Sequence, residues 1–395
     1  MDFYTQPSFF VLLAISFIPA AYLGLTGKRI KYYGFGVSCL FLFFLFSGNL
    51  TEGLYFGVFL VTSGVSFKIV LSSWQSGEKS MAKYRFALVL SLLPLLVCKL
   101  SALFDANILG FLGLSYLTFR TLQVVIEIRD GIISDMKLLD YYYFITFFAT
   151  VTSGPIDRST RFVNDLDKVY KREEYADMLS KGLLYLAVGG VYYFVLAGIV
   201  LPYYSPSAFS SETSFFYNVA AAVKDAYAYG FYLFFNFAGY SLMAVGASYC
   251  FGIATPMNFK APFIAKDMKE FWNRWHISLS YWLRDFVFMR FSRYALKKKL
   301  FSDRLQTACI AYMLNMIIMG LWHGLTIDYL MYGIYQGLAL ALTEAIQKKS
   351  KFYKKHKNKT WFKIVSWGIT INVIMFGFAL FSGQVHLIVG GLIYG

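Results

Sequence analysis

The chain has 395 residues, of which 58% are hydrophobic and 15% charged, and its mean hydropathy is +0.53. This composition excludes an ordinary water-soluble globule and indicates an integral membrane protein. Lys and Arg outnumber Asp and Glu by 37 to 22, for a net charge of +15, but the cations occur in short runs between apolar segments. Such runs are typical of cytoplasmic loops, so we expect no nucleic-acid partner.

The N-terminal segment is predicted to be a retained helix. The sequence MDFYTQPSFF has no basic region before the first apolar run, and no small-residue cleavage site follows that run. The first apolar segment, 7–26, is followed by Lys28, Arg29 and Lys31. Because cytoplasmic loops are enriched in cations, this order places the N-terminus outside the cell.

Apolar segments recur along the whole chain, and many reach the roughly 20 residues that a helix needs to cross a membrane. The predicted crossings are 7–26, 34–48, 54–72, 86–104, 108–127, 182–202, 226–250, 306–324, 327–345 and 363–382. Following the cations from loop to loop places the C-terminus outside as well. The predicted fold class is an all-α, multi-pass protein of the cell membrane with about ten to eleven transmembrane helices.

Two segments differ from simple crossings. Residues 139–152 are short and closely flanked by cations, which predicts a re-entrant or tilted half-helix. Residues 257–304 carry eleven Lys and Arg residues, which predicts interfacial and re-entrant helices on the cytoplasmic side. Since there is no internal repeat or Gly/Ser-rich linker, residues 1–395 are predicted to form a single integral domain.

Two of the four histidines stand out by their surroundings. His356 lies in a cationic loop and His386 in the final tail, where we expect both to be solvated. His276 and His323 each follow a tryptophan within apolar sequence, in KEFWNRWHISLSYWLRDF and MGLWHGLT. Ionisable groups in such surroundings are costly and indicate function, although a single one can also serve as a hydrogen-bonding group between helices.

Helical spacing over 269–290 predicts a polar face around His276. The residues on that face are Lys269, Asn273, His276, Ser280 and Arg284, and those on the opposite face are Arg274, Ser278 and Asp285. The predicted aromatic shield around the imidazole consists of Phe271, Trp272, Trp275, Tyr281 and Trp282. A shielded imidazole is neutral and can accept a proton from a hydroxyl group, although an interfacial helix whose wet face includes a histidine would have the same pattern.

The sequence lacks the residues that other reaction mechanisms would need. A zinc site would need a spacing such as H-E-x-x-H, and nucleotide-driven transport would need a phosphate-binding glycine loop; neither motif is present. A thiol mechanism would need a cysteine beside a histidine, but Cys309 precedes His323 by about 21 Å of helix. Direct acyl transfer from a carrier to a hydroxyl is the simplest remaining chemistry.

The string KEFWNRWHISLSYWLRDFVFMR (269–290), together with the later His323, resembles the signature of the membrane-bound O-acyltransferase family. Three further strings, LGLSYLTFR (112–120), TSGPIDRSTRF (152–162) and FFNFAGYSLMAVG (234–246), resemble the branch that D-alanylates teichoic acids in Gram-positive bacteria. The resemblance covers nearly the whole chain. One position departs from it, because relatives often carry an acid where this chain has Asn236, so we expect Asn236 at most to position a group by hydrogen bonding.

The resemblance implies a crown of tilted helices around a funnel, with His323 near its floor and His276 nearer the cytoplasmic opening. The implied donor is D-alanine held as a thioester on the phosphopantetheine arm of a small, acidic carrier protein, and no cofactor is bound by the chain itself. The implied partners are this carrier, other membrane proteins of the D-alanylation pathway, the lipid bilayer and a teichoic acid acceptor.

In this interpretation His323 is the base, and His276 holds the acyl group or its developing oxyanion with help from the residues around it; the two histidines could exchange roles. The predicted substrate-positioning residues are Asn273, Ser280, Asn236, Trp275 and Trp322. A basic and aromatic stretch supplies the predicted carrier-docking residues Tyr294, Lys297, Lys298, Lys299, Leu300 and Phe301, although a surface helix on anionic lipid would have the same pattern. The alternative functions are O-acetylation of a cell-wall polymer or exopolysaccharide, and a channel or flippase for an aminoacylated intermediate.

Overall fold

The computed structural model describes residues 3–209 and 213–394, and this described part consists of helices and connecting segments without a strand. The helices are α1 (Pro7–Leu25), α2 (Lys31–Phe46), α3 (Leu50–Gln75), α4 (Met81–Ser101), α5 (Leu114–Arg129), α6 (Leu138–Thr146), α7 (Ser159–Asp167), α8 (Arg172–Gly190), α9 (Ala197–Val200), α10 (Phe215–Cys250), α11 (Met268–Trp272), α12 (Ile277–Leu283), α13 (Met289–Lys298), α14 (Arg304–His323), α15 (Ile327–Lys349), α16 (Lys351–His356), α17 (Thr360–Phe381) and α18 (Gln384–Tyr394). The all-α prediction is confirmed for this part of the chain.

Seven helical stretches within the described residues are long and apolar enough to cross a membrane. They are Pro7–Leu25, Leu50–Gln75, Met81–Phe104, Arg172–Tyr203, Phe215–Cys250, Arg304–His323 and Thr360–Phe381. Each of the other three predicted crossings also contains a helix, namely α2, α5 or α15. The multi-pass architecture therefore follows from the apolar segments, because a helix satisfies its own backbone hydrogen bonds in lipid.

Several helix boundaries differ from the predicted ones. Residues 108–113 are turns, so α5 begins only at Leu114, after Gly113 with a φ of 93°. The crossing predicted over 226–250 is part of a longer helix, α10, which has 36 residues. Both differences lie at polar or glycine-containing ends, where hydropathy alone defines a helix poorly.

The short segment predicted over 139–152 contains α6, which has only nine residues, followed by the 3₁₀ turn Phe148–Thr150. At 1.5 Å per residue such a helix covers about half of the hydrocarbon thickness. The structure therefore agrees with a short element here, while its depth in the membrane stays a prediction.

The chain divides into two compact units. The first contains Met1–Gly190 and Tyr240–Met257, and the second contains Val191–Gly239 and Asn258–Gly395. The first segment of the second unit begins directly after the end of α8 and ends within α10. The single-domain prediction stays a prediction, since compact units of contacts are not in themselves separately folding domains.

A buried arginine organises the core of the first unit. Arg120 on α5 is 1% exposed and donates hydrogen bonds to the carbonyls of Phe144, Ile145 and Thr150, the last at 2.7 Å. It also donates to the Thr150 hydroxyl at 2.6 Å. A guanidinium group without such acceptors would be very costly to bury, so Arg120 stabilises the end of α6 and the turn that follows.

Helices α14 and α15 form a close antiparallel pair in the second unit. Their approach depends on glycines: a Cβ atom on Gly333 would lie 2.6 Å from the carbonyl oxygen of Met316, and one on Gly337 would lie 2.9 Å from the Met313 sulfur. The small residues allow the two backbones to approach each other, as is common between membrane helices. This pairing defines the position of His323, the last residue of α14.

Residues 269–290 do not form one continuous helix, so the helical spacing from which the polar face was predicted does not hold across this segment. Helix α11 ends at Trp272, α12 begins at Ile277, and a π-helical turn at Arg284–Phe288 precedes α13. The break occurs because residues from an earlier segment bind the backbone here: Lys260 N donates to Arg274 O at 3.0 Å, and Ile277 N donates to Asn258 O at 2.9 Å. These long-range hydrogen bonds replace those of a continuing helix.

Candidate active site

His276 lies in the connection between α11 and α12, in a left-handed conformation with φ 42° and ψ 52°. Few residues other than glycine adopt this conformation, which costs of the order of 1–3 kcal/mol. Asn258 maintains it from outside the loop, because its Oδ1 accepts from Ser278 N at 3.2 Å and from Ser278 Oγ at 2.6 Å. Asn258 thereby supplies the first turn of α12 with a hydrogen-bond acceptor.

The His276 imidazole is almost completely buried, at 3% exposure. The ring of Phe237 on α10 packs edge-on against it at 4.7 Å and 88°, and the Trp322 ring lies 6.4 Å away. Its Nε2 has no hydrogen-bond partner among the described residues. His276 is outside the seven long apolar helices, and burial, followed by the proximity of His323, lowers its pKa well below the usual value. It is therefore a neutral imidazole.

His323 is the last residue of α14 and is only partly buried. Three aromatic rings surround it: Trp322 at 4.6 Å, Phe381 at 4.9 Å and Tyr329 at 5.9 Å. Its exposure contrasts with the burial of His276. Because Trp322 lies next to both imidazoles, the two Trp-His pairs of the sequence meet in one aromatic cluster, with the accessible ring at its edge.

A cavity of about 280 Å³ lies in the second unit, among residues of α11, α12, α14 and α15. Its lining residues are Lys269, Trp272, Asn273, Leu279, Ser280, Tyr281, Leu283, Arg284, Phe288, Met289, Tyr312, Asn315, Met316, Met319 and Leu340. Four of the five residues predicted to share a polar face line it, although the helix between them is broken. The fifth, His276, does not line this cavity, because the left-handed turn places it among the aromatic rings instead.

The opposite face was predicted to carry Arg274, Ser278 and Asp285, and these residues have other partners. Arg274 pairs with Glu270 at 2.8 Å, and Asp285 pairs with the neighbouring Arg284 at 2.8 Å. Pairs between charges that are this exposed add little to stability. Ser278, in contrast, is buried and belongs to the Asn258 contact that determines the conformation of the loop.

Of the remaining predicted positioning residues, Trp275 is buried among Phe271, Phe259 and Phe378, with ring centroids 5.6, 5.0 and 4.8 Å away. It anchors the loop that carries His276. Asn236 is half-buried on α10, directly before Phe237. The predicted aromatic shield is partly wrong, since Phe237 and Trp322 supply the ring contacts recorded for His276.

The predicted docking residues lie at the C-terminal end of α13. Lys299 ends the helix in a left-handed conformation with φ 52°, and Leu300 N donates to Ala295 O at 3.0 Å. The exposed members are Tyr294, Lys297, Lys298, Lys299 and Leu300. Phe301 is partly covered and lies 6.4 Å from the Phe291 ring. These residues form one cationic surface with an apolar edge.

Several residues of the site were not predicted from the sequence. Phe237 lies inside the string FFNFAGYSLMAVG, but that string gives no indication of a ring contact with His276. Asn258, Tyr329 and Phe381 have no recognisable motif around them. Their contribution depends on segments far apart along the chain, which periodicity within one helix does not reveal.

Comparison with known proteins identifies the family. Residues 41–383 match the sequence model of MBOAT, the membrane-bound O-acyltransferase family. The chain belongs to this family. It is therefore an acyltransferase of a multi-pass membrane family, and the resemblance inferred from the Trp-His strings is confirmed.

Relatives that match over nearly their full length include two teichoic acid D-alanyltransferases. The chain is 37% identical to a teichoic acid D-alanyltransferase of Bacillus subtilis (strain 168), covering 96% of this chain and 98% of that protein. It is also 37% identical to a teichoic acid D-alanyltransferase of Streptococcus thermophilus, covering 96% of this chain and 94% of that protein. A probable alginate O-acetylase of Pseudomonas syringae is more distant, at 29% identity over 72% of this chain and 51% of that protein.

Proposed function

We propose that this acyltransferase moves D-alanine from a thioester on a carrier protein's phosphopantetheine arm to a hydroxyl acceptor on the route to teichoic acid D-alanylation. The family membership and the full-length similarity to two teichoic acid D-alanyltransferases support the reaction class. The observation that carries the mechanism is the pair of imidazoles beside Trp322. One is buried and its Nε2 has no partner among the described residues, and the other is partly exposed. The immediate acceptor is a hydroxyl of the polymer, of a lipid-linked intermediate or of a protein relay.

His323 is the proposed general base. It is the last residue of α14 and is partly exposed, so a substrate hydroxyl can approach its ring. The acceptor oxygen attacks the thioester carbonyl carbon while His323 takes the hydroxyl proton. The carbon–sulfur bond then breaks, and the proton passes to the departing thiolate. The products are an ester of D-alanine and a free carrier thiol.

His276 is proposed to orient the reacting acyl group. Its burial keeps the ring neutral, and one ring nitrogen lacks a partner among the described residues. A neutral imidazole that carries its proton on that nitrogen can donate to a developing oxyanion in a site shielded from water. The rigid surroundings of Phe237 and Trp322 fix the direction of that donor.

The cavity beside α14 is the proposed site of the carrier's phosphopantetheine arm. Lys269 and Arg284 place cations on its wall, and Asn273 and Ser280 add groups that can hydrogen-bond to amides. Met319 also lines the cavity and precedes His323 by four residues, which is about 6 Å of helix rise. An arm in this cavity would end close to the proposed base. We propose that the α13 surface holds the acidic carrier itself.

The test uses purified protein, an acceptor and carrier loaded with D-alanine, with release of carrier thiol as the measurement. We expect His323→Ala to reduce the rate by about 10²- to 10⁴-fold, the usual contribution of a general base. The matched control is His356→Ala, in the short helix α16, which should leave the rate unchanged. Undiminished release by His323→Ala would exclude His323 as the base.

The same assay separates the alternatives. Faster reaction with acetyl-loaded carrier would favour an O-acetyltransferase, the activity named for the more distant Pseudomonas relative. Passage of an aminoacylated intermediate across vesicles without any release of thiol would favour a channel or flippase. Release from the D-alanyl carrier alone is the result we expect.

A further inference from the structure

A second, larger cavity lies on the surface of the second unit, along α15, α16 and α17. Its volume is about 570 Å³, within the range of about 300–1,000 Å³ that is common for small-molecule sites. Most of its wall is apolar, and several of its side chains are exposed; Leu342 and Ile369 are each 61% exposed. We call this cavity the lateral groove. Its open apolar wall suits a hydrocarbon chain.

Several lysines lie on or next to the lateral groove. Its lining includes Lys266, Asp267, Ser350 and Tyr353, and Ser350 lies within the lysine-rich segment 348–363. This segment carries eight lysines and no acidic residue. Lys348 pairs with Glu344, whereas the lysines next to the groove at Lys349 and Lys351 are exposed. An apolar groove with several lysines on or next to its lining is complementary to an anionic amphiphile.

We propose that the lateral groove binds one anionic phospholipid. Its acyl chain lies along α15 and α17, beside Leu342 and Ile369, and its phosphate lies against Lys266 and Lys351. The hydroxyl of Ser350 and the exposed lysine ammonium groups provide hydrogen bonds and charge for the headgroup. Because positive loops and anionic lipids share the cytoplasmic side of bacterial membranes, the lipid comes from that leaflet.

Side-chain hydrogen bonds connect the lining of the lateral groove with the lining of the first cavity. Gln347 and Asp267 line the lateral groove, and Lys269 lines the cavity beside α14. Lys269 donates to Gln347 Oε1 at 2.8 Å, and Gln347 Nε2 donates to Asp267 Oδ2 at 3.0 Å. A phospholipid in the groove therefore packs against the side chains that hold Lys269, and its binding should stabilise the folded protein by linkage.

The experiment measures lipid retained by purified full-length protein in detergent, by native mass spectrometry, after incubation with phosphatidylglycerol or phosphatidylcholine. We expect one phosphatidylglycerol per protein and at least about fivefold less phosphatidylcholine, a difference that falls as salt screens the lysines. Ala339→Trp, which places an indole in the groove, should remove this retention. Ile310→Trp is the matched control on an exposed apolar position of α14, and it should retain the lipid.

A second variant tests whether loss of lipid could result from misfolding of the protein. Lys266→Gln combined with Lys351→Gln changes two exposed side chains and should reduce phosphatidylglycerol retention at least about fivefold with an unaltered elution profile. Equal retention of the two lipids by the parent protein would overturn the proposal, as would undiminished retention by both the tryptophan and the glutamine variants. Neither result would bear on thiol release, so the proposed acyl transfer is tested separately.

Discussion

His276 combines a strained backbone with a buried side chain, and both depend on residues outside its own segment. The left-handed turn is held by Asn258 through Ser278, while the ring is held by Phe237 and Trp322. Strain of this kind persists only where the surroundings enforce it, and it is frequent at functional sites. The sequence identified His276 by its apolar neighbours but could not reveal the turn, since no local motif encodes the contact with Asn258.

We predict that Asn258→Ala lowers both stability and activity. Removing the amide leaves the Ser278 backbone N–H and hydroxyl without their buried acceptor, which costs about 1–3 kcal/mol, and it releases the turn that orients His276. The measurements are the midpoint of thermal unfolding in detergent and thiol release from the loaded carrier. Asn358→Ala changes an exposed asparagine and is the control. If both variants behaved like the parent, Asn258 would not position the loop.

At the level of elements, α14 and α15 show how close packing places the accessible imidazole. Their glycine contacts bring Tyr329 beside His323, and α17 contributes Phe381 to the same cluster. Apolar segments predicted all three helices, because a backbone in lipid must form its hydrogen bonds locally. Which faces of the helices meet was not predictable, since in lipid the pairing depends on shape rather than on hydrophobicity.

We predict that Gly333→Ala destabilises the protein by about 1–3 kcal/mol, because the new methyl group would overlap the Met316 carbonyl and force the two helices apart. The control is Gly368→Ala on α17. A Cβ atom there meets no atom of the described residues within 4 Å, and the change should stabilise the protein by about 0.5–1 kcal/mol through helix propensity. The unfolding midpoints of the two variants in one detergent provide the comparison. Equal shifts would show that α14 and α15 do not need this close approach.

Charge is distributed unevenly over the molecule, and this distribution bears on the proposed binding of a carrier protein. The net charge of +15 is concentrated in loops and in the basic segments around α13 and α16. We propose that the first of these segments binds the carrier and that the second lies beside the lipid groove. The position of the lysines on the surface, rather than the net charge of the protein, should therefore determine the affinity for the carrier.

This idea predicts that Lys297→Glu with Lys298→Glu weakens binding of the acidic carrier by at least about tenfold, and that salt reduces the difference between variant and parent. Lys354→Glu with Lys355→Glu makes the same change in net charge on α16 and is the matched control. The dissociation constant is measured at two salt concentrations. Charge reversal is preferable to Phe301→Asp, since Phe301 also lies near Phe291 within the fold. Equal weakening by both pairs would refute a specific docking surface.

The sequence by itself determined that this chain is a helical membrane protein and an O-acyltransferase, because apolar segments of membrane length and the extended Trp-His string are local properties. It also indicated both histidines of the candidate site and six of the fifteen residues that line the cavity along α14. Only the tertiary structure decided that the helix breaks before His276, that this imidazole is buried while His323 stays accessible, and that Trp322 lies beside both. These features arise from hydrogen bonds and ring contacts between distant segments, which the order of residues within any one helix does not contain.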